Sequence, residues 1–309
     1  MPPFVGYGIK ESLVRGKLGR VWRVYKTTGN WYEVLLVHIG LKRSCVAQLR
    51  SGHTVLVSKE AWPEYWKHIT VEFLKAKLRN LSLSENTASF EYLGKRIALH
   101  FPKEVNLDTL LSTFFYEDYV HLNIASRCVI DVGAYIGDTA IYFALRGTRK
   151  VFALEPYPYT YSLLVKNIKI NSLDSIIKPI NIAIASKDGV IHLLYTEEDT
   201  IAKPAYGSAG VEVVCCKLST LIERLKRNFE LAEDLVLKMD CEGCEYDAIL
   251  GSDKETLRAF REIILEFHGD PKPLIDKLKG SGFKVEIISR NPKLNTGFLY
   301  AIRESLSLE

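Results

Sequence analysis

From Cys128 onward, short apolar runs alternate with stretches whose apolar residues recur every three or four positions, the pattern of a parallel sheet covered by helices on both faces. Strands are predicted at Cys128–Val132, Lys150–Glu155, Ile177–Ala183, Leu235–Met239 and Glu262–Phe267. Helices are predicted between them, at Asp138–Arg146, Tyr159–Asn171, Ser219–Phe229, Tyr246–Leu250, Lys254–Phe260 and Pro273–Gly280. Val190–Tyr195 and Val211–Cys216 predict an added antiparallel pair, and the polar stretch Thr196–Gly210 between them predicts a mobile loop near the site. The chain closes with Phe283–Ser289 and Gly297–Ile302, joined by Arg290–Thr296, whose Asn and Pro residues favour a turn over a crossover helix. The expected fold class is therefore α/β, a doubly wound sheet ending in an antiparallel β-hairpin.

The rhythm is different upstream. Val34–Ile39 and Thr54–Ser58 predict strands, Trp62–Lys77 a helix, and Ser89–Tyr92 with Lys95–His100 a hairpin about Gly94. Thr109–Asn123 predicts a helical segment leading into the sheet. Residues 1–120 thus form a smaller mixed α+β region of unknown role, and residues 121–309 carry the sheet.

Composition changes this picture little: 47% hydrophobic and 25% charged residues describe a globular chain rather than a disordered one. No run of about 18 apolar residues could cross a membrane, and Met1–Lys17 lacks the apolar stretch of a signal peptide, so a cytoplasmic protein is expected. Charge adds more. Residues 1–120 hold 17 Lys and Arg against 11 Asp and Glu, whereas the remainder holds 24 against 26. That basic excess is either a surface for an anionic partner or a solvated face.

The most informative stretch is Val129–Asp138, a strand entering a Gly-rich turn and then a helix. Its Gly133 and Gly137 are spaced G-x-x-x-G rather than the G-x-G-x-x-G that seats a pyrophosphate, and Asp131 at the strand end repels phosphate. A cationic nucleoside fits better, and S-adenosylmethionine carries a sulfonium and an α-amino group. Glu155 closes the next strand 22 residues beyond Gly133, where a carboxylate can accept hydrogen bonds from both ribose hydroxyls.

These residues resemble the FkbM-type methyltransferases. The resemblance covers Asp131–Gly137 (usually DVGANIG), Glu155-Pro156, Lys238–Glu245 (usually KIDVEGAE), Ile249-Leu250-Gly251 and Glu266-Phe267-His268, with Tyr135 standing where Asn is usual. It implies a Rossmann-like methyltransferase sheet, a fold version that ends in an antiparallel hairpin, and S-adenosylmethionine as cofactor. Cofactor contacts are expected from Asp131, Gly133, Ala134, Tyr135, Gly137, Glu155, Pro156 and Asp240. The resemblance puts Asp240 and Glu242 on the cofactor and substrate face, and by their chemistry His268 or Asp240 could serve as general base. Glu245 is either a member of that face or a carboxylate stabilised at a helix N-terminus, and Lys238 can pair with one of these acids.

Cys241 and Cys244 form a C-x-x-C, but no second pair or His cluster completes a zinc site, so packing as small residues is favoured over redox chemistry and no metal is expected. The expected activity is O-methylation of a hydroxyl on a sugar, glycan, lipid or related small molecule. An RNA methyltransferase using the basic N-terminal region is one alternative, and a nucleoside-binding protein without turnover is another.

Overall fold

The computed structural model describes residues 17–194, 203–204, 210–229 and 235–304. The expected mobile loop, apart from residues 203–204 and 210, lies outside the described residues, as does nearly all of Met1–Lys17. The chain divides into two compact units. One comprises the residues up to Ser84 with Ala88–Ile97 and Asn106–Glu117; the other comprises Glu85–Thr87, Ala98–Val105 and the chain from Asp118.

In the first unit, α1 (Lys17–Thr27) and α2 (Trp31–His38) precede a two-stranded antiparallel sheet, β1 (Cys45–Gln48) and β2 (Thr54–Val57). Then come α3 (Trp62–Lys75) and a three-stranded sheet of β3 (Arg79–Leu83), β4 (Thr87–Tyr92) and β5 (Lys95–His100). Helix α2 replaces the strand expected at Val34–Ile39. Its Val residues suit either state, but Val34 and Val37 stand one helical turn apart and both bury against Ala47, Val55 and Val57. The helix expected over Thr109–Asn123 is shorter: α4 (Leu107–Leu110) continues as a π-helical turn over Leu111–Tyr116 and stops at Glu117, whose φ is 55°.

The second unit is built on a seven-stranded sheet. Its elements are β6 (Cys128–Val132), α5 (Asp138–Leu145), β7 (Lys150–Leu154), α6 (Pro158–Ile170), β8 (Ile177–Ile180), β9 (Ala183–Ile184), β10 (Gly189–Leu194), β11 (Lys203–Pro204), β12 (Val211–Cys216) and α7 (Leu218–Asn228). There follow β13 (Leu235–Met239), α8 (Cys244–Gly251), α9 (Lys254–Arg258), β14 (Phe260–His268), α10 (Lys272–Gly280), β15 (Phe283–Asn291) and β16 (Thr296–Arg303). The order is β15-β16-β14-β13-β6-β7-β8, with β14, β13, β6, β7 and β8 parallel and the β15–β16 hairpin antiparallel.

The strand expected over Ile177–Ala183 breaks in two. Pro179 has no N–H to donate and so suits the sheet edge; Asn181 then turns away, its amide donating to the carbonyls of Glu155 (2.8 Å) and Pro156 (2.9 Å). Beyond that break, β9 joins a second sheet ordered β11-β10-β12-β9, which contains the expected β10–β12 pair. The strand order reverses direction between β6 and β13, so the loops leaving their carboxyl ends open a crevice there, the position at which open α/β sheets bind ligands.

Candidate active site

Strands β6 and β13 are fully buried and lie in register, with Lys238 directly opposite Asp131. That register produces an ion pair inside the sheet: Lys238 Nζ is 3.0 Å from Asp131 Oδ1, while Asp131 Oδ2 accepts from the Thr139 hydroxyl at 2.6 Å. Burial pulls the Lys238 ammonium down, but Asp131 and Asp240 outweigh it, so its pKa ends above the ordinary lysine value. Asp131, expected to face a cationic ligand, has a wholly buried carboxylate, and the cation beside it in this structure is Lys238. Lys238 also donates to the Gly133 carbonyl (2.8 Å) and the Val132 carbonyl (3.3 Å), so the pair clamps the start of the Gly-rich turn.

The turn is held from the other side by β7. Gly133 and Ala134 N–H groups both donate to the Leu154 carbonyl, at 3.0 and 2.9 Å. Tyr135 takes a left-handed conformation at φ 48°, which explains why a residue such as Asn is at home there. Its N–H donates to Glu155 Oε2 at 2.9 Å. Glu155 Oε1 accepts from Tyr157 N–H (3.0 Å) and the Thr160 hydroxyl (2.8 Å). Glu155 therefore ties the turn to the first residues of α6. Burial pushes its carboxyl up to about 7, against the pull of those three hydrogen bonds and of Lys238.

Past β13 the chain enters a second turn. Asp240 Oδ2 accepts from the buried Tyr119 hydroxyl at 3.1 Å, and Glu242 Oε2 lies 3.4 Å from His268 Nε2, at the end of β14. His268 Nδ1 is buried with no hydrogen-bond partner among the described residues. Glu245 resolves its two readings in favour of structure: it is buried, accepting from Cys241 N–H (2.7 Å) and Gly243 N–H (2.8 Å), and so shapes the turn from the first turn of α8. Burial raises its pKa.

Glu266, two residues before His268 on β14, is the group that the sequence motifs did not single out as a site residue. Burial and the neighbouring Asp240, Glu242 and Glu245 push its carboxyl up to about 9. Only the parallel pairing of β13 with β14 puts these acids together; their sequence separation hides it.

Cys241 and Cys244 correct another expectation. They form a disulfide across this turn rather than packing as separate small residues. Left-handed Glu242 (φ 57°) and Gly243 (φ 120°) fold the chain back so that the two Cα atoms stand 5.5 Å apart. The remaining described cysteines, Cys45, Cys128, Cys215 and Cys216, are buried free thiols. Because the closed loop is short, Cys241→Ser with Cys244→Ser is expected to cost only about 2 kcal/mol. Urea unfolding of the oxidised protein and the double variant checks this, since a much larger loss would mean the crosslink organises more than its own turn.

Among the described residues no group of three His, Cys, Asp or Glu side chains is arranged to hold a metal ion, and no helix is long and apolar enough to cross a membrane. The strand ends thus gather Glu155, Asp240, Glu242, Glu245 and Glu266 about the two turns.

Residues 131–285, half of the chain, match the methyltransferase FkbM domain. The chain belongs to this family. The matched span runs from Asp131 through Val285 and so includes both turns, Glu155, the disulfide and His268. A relative, methyltransferase sdnD of Sordaria araneosa, is 24% identical over 168 residues, covering 45% of this chain and 65% of that protein, just under two thirds. The crystal structure of methyltransferase FkbM from Methylobacillus flagellatus KT is similar at 14% identity and a TM-score of 0.43, covering 61% of this chain and 47% of that one. The structure of M. jannaschii TYW2, solved in complex with AdoMet, is similar at 15% identity and a TM-score of 0.38, covering 72% of this chain and 86% of that one.

Proposed function

We propose that this FkbM-family chain is an S-adenosylmethionine-dependent methyltransferase acting on a hydroxyl of a sugar, glycan, lipid or related small molecule. The observation that carries the reading is the pairing of a clamped Gly-rich turn with Glu155 on one side and the Asp240 and Glu242 carboxylates on the other. The turn from Gly133 to Gly137 and Pro156 would border the nucleoside, Glu155 would accept from the ribose hydroxyls, and the acids beyond β13 would face the positive end. Bound there, the cofactor would supply an electrophilic methyl group on a sulfonium.

The chain's own contribution is alignment and proton removal. Holding two reactants in attack geometry is worth up to about 7–11 kcal/mol. An alcohol also needs a proton acceptor. Nε2 of His268 lies 3.4 Å from the Glu242 carboxylate, which would hold the imidazole beside the second turn as the general base. Substituting His268 with alanine should therefore slow turnover by about 10²–10⁴-fold while leaving cofactor affinity intact; an unchanged rate would remove it from the mechanism.

Glu155 makes the binding pH-dependent. Its folded-state pKa of about 7 lies above the ordinary 4.5, so between these values the folded protein holds a proton that the unfolded chain has lost. Stability from this group accordingly falls as pH rises through that window. Its ionised form is the better acceptor for ribose hydroxyls, so affinity for S-adenosylhomocysteine should rise as pH approaches and passes about 7. Glu155→Gln should weaken that affinity by about 1.5–3 kcal/mol and flatten the profile in calorimetry; a profile with the same slope would place the titration elsewhere.

The acceptor is found by incubating fractionated cell extract with radiolabelled methyl donor. Label entering a hydroxylated small molecule, glycan or lipid, with stoichiometric S-adenosylhomocysteine, is the expected result. Label in RNA would replace the acceptor assignment, and donor that binds but is never consumed would defeat the reading.

A further inference from the structure

Exposed apolar side chains crowd into the first unit along one continuous stripe. On α1, the Lys26 ammonium lies 5.7 Å from the Trp22 ring and 6.0 Å from the Tyr25 ring. Tyr25 meets Trp31 edge-on at 5.7 Å, and Trp31 meets Tyr32 at 6.5 Å. From Tyr32 the stripe runs along α2 through Leu36 to Ile39, spaced i, i+4, i+7 on the face opposite the buried Val34 and Val37. Leu41 follows, its N–H bonded to the Leu36 carbonyl at 2.9 Å. The exposures are large, 56% for Tyr32, 63% for Ile39 and 76% for Leu41.

The part of the chain that carries this stripe is basic. Residues 17–84 hold 12 Lys and Arg against 4 Glu and no Asp. Arg20, Lys26, Arg43 and Arg50 are all exposed. Apolar side chains left in water beside concentrated positive charge mark a recognition surface.

We infer that this stripe docks the protein on an anionic lipid bilayer. Tyrosine and tryptophan settle at the headgroup level, aliphatic side chains enter the acyl boundary, and lysine and arginine meet lipid phosphates. A single-stranded nucleic acid would use the charge and the rings, but Leu36, Ile39 and Leu41 have no flat face on which a base can stack. A second copy of the chain would bring the same positive charge to the same face and be repelled. The inference is independent of methyl transfer and of the second unit.

The test uses the full chain, sedimented with vesicles of phosphatidylcholine alone or mixed with phosphatidylglycerol. All four tryptophans, at 22, 31, 62 and 66, lie in this unit, so their emission reports on it alone. Binding and a blue shift are expected only with the anionic vesicles, and both should weaken in high salt. Lys26→Glu with Arg43→Glu should weaken binding by at least about fivefold for each basic charge removed. Ile39→Ser with Leu41→Ser, at exposed positions and with an unchanged thermal midpoint, should also lose binding. No sedimentation with anionic vesicles would overturn the inference. So would single-stranded RNA bound equally by wild type and the Ile39/Leu41 variant and not displaced by vesicles, which would assign the surface to nucleic acid.

Discussion

Replacing Lys238 with methionine is expected to destabilise the protein by about 3–5 kcal/mol, because it leaves the wholly buried Asp131 carboxylate without its cation. The Thr139 hydroxyl would remain as a donor to Asp131, but a neutral hydrogen bond does not balance a buried charge. The same change frees the Gly133 and Val132 carbonyls from the ammonium that clamps them, so affinity for S-adenosylhomocysteine should fall along with stability. Denaturant unfolding of Lys238→Met, Asp131→Asn and the double variant separates these effects. With both charges removed, the double variant should recover much of the stability lost by Lys238→Met. Its ligand affinity should stay low, since the carbonyls are still unclamped. If the three variants lose stability additively, the two side chains do not act as a pair.

The second large effect is expected at Gly133, which sits at φ +74° with its Cα facing the second turn. A Cβ there would collide with the backbone carbonyl oxygen of Asp240, and a backbone atom cannot swing aside as a flexible side chain can. Gly133→Ala therefore has to part the β6 and β13 turns. The strain costs about 1–2 kcal/mol for the left-handed backbone and about 1–3 kcal/mol for overpacking. The greater damage is functional, since displacing the turn by about an ångström should slow methyl transfer about a hundredfold. Gly147→Ala is the matched control: it has a similar φ of +86° but open space where its Cβ would go. It should show only the conformational cost, with calorimetric binding of S-adenosylhomocysteine unchanged. Equal binding by Gly133→Ala and Gly147→Ala would mean that the approach of the two turns does not shape the site.

These expectations depend on contacts at different distances from the sequence. The strand preceding Gly133 and the carboxylate at 155 were legible because they follow one another within a single βαβ step, where spacing is fixed by the fold's geometry. The terminal hairpin was legible for a similar reason, since Asn and Pro between two apolar runs leave no room for a crossover helix. Val34–Ile39 was not, because a short run of valine and leucine satisfies strand and helix alike until its buried partners are known. Nor was the break after Ile180, which depends on Asn181 reaching the carbonyls of Glu155 and Pro156.

The order of residues along this chain determined that it would form a doubly wound sheet, and that a Gly-rich turn and a spaced acid would stand at its strand ends. Those features are local, set by hydrophobic period, turn chemistry and distances along one stretch of backbone. Only the tertiary structure decided what each acid does. Strand register turned Asp131 inward onto Lys238, and the meeting of β13 with β14 gathered Asp240, Glu242, Glu266 and His268. The fold of one short turn joined Cys241 to Cys244. A carboxylate's role depends on the charges and solvent around it, and those come from residues remote in sequence.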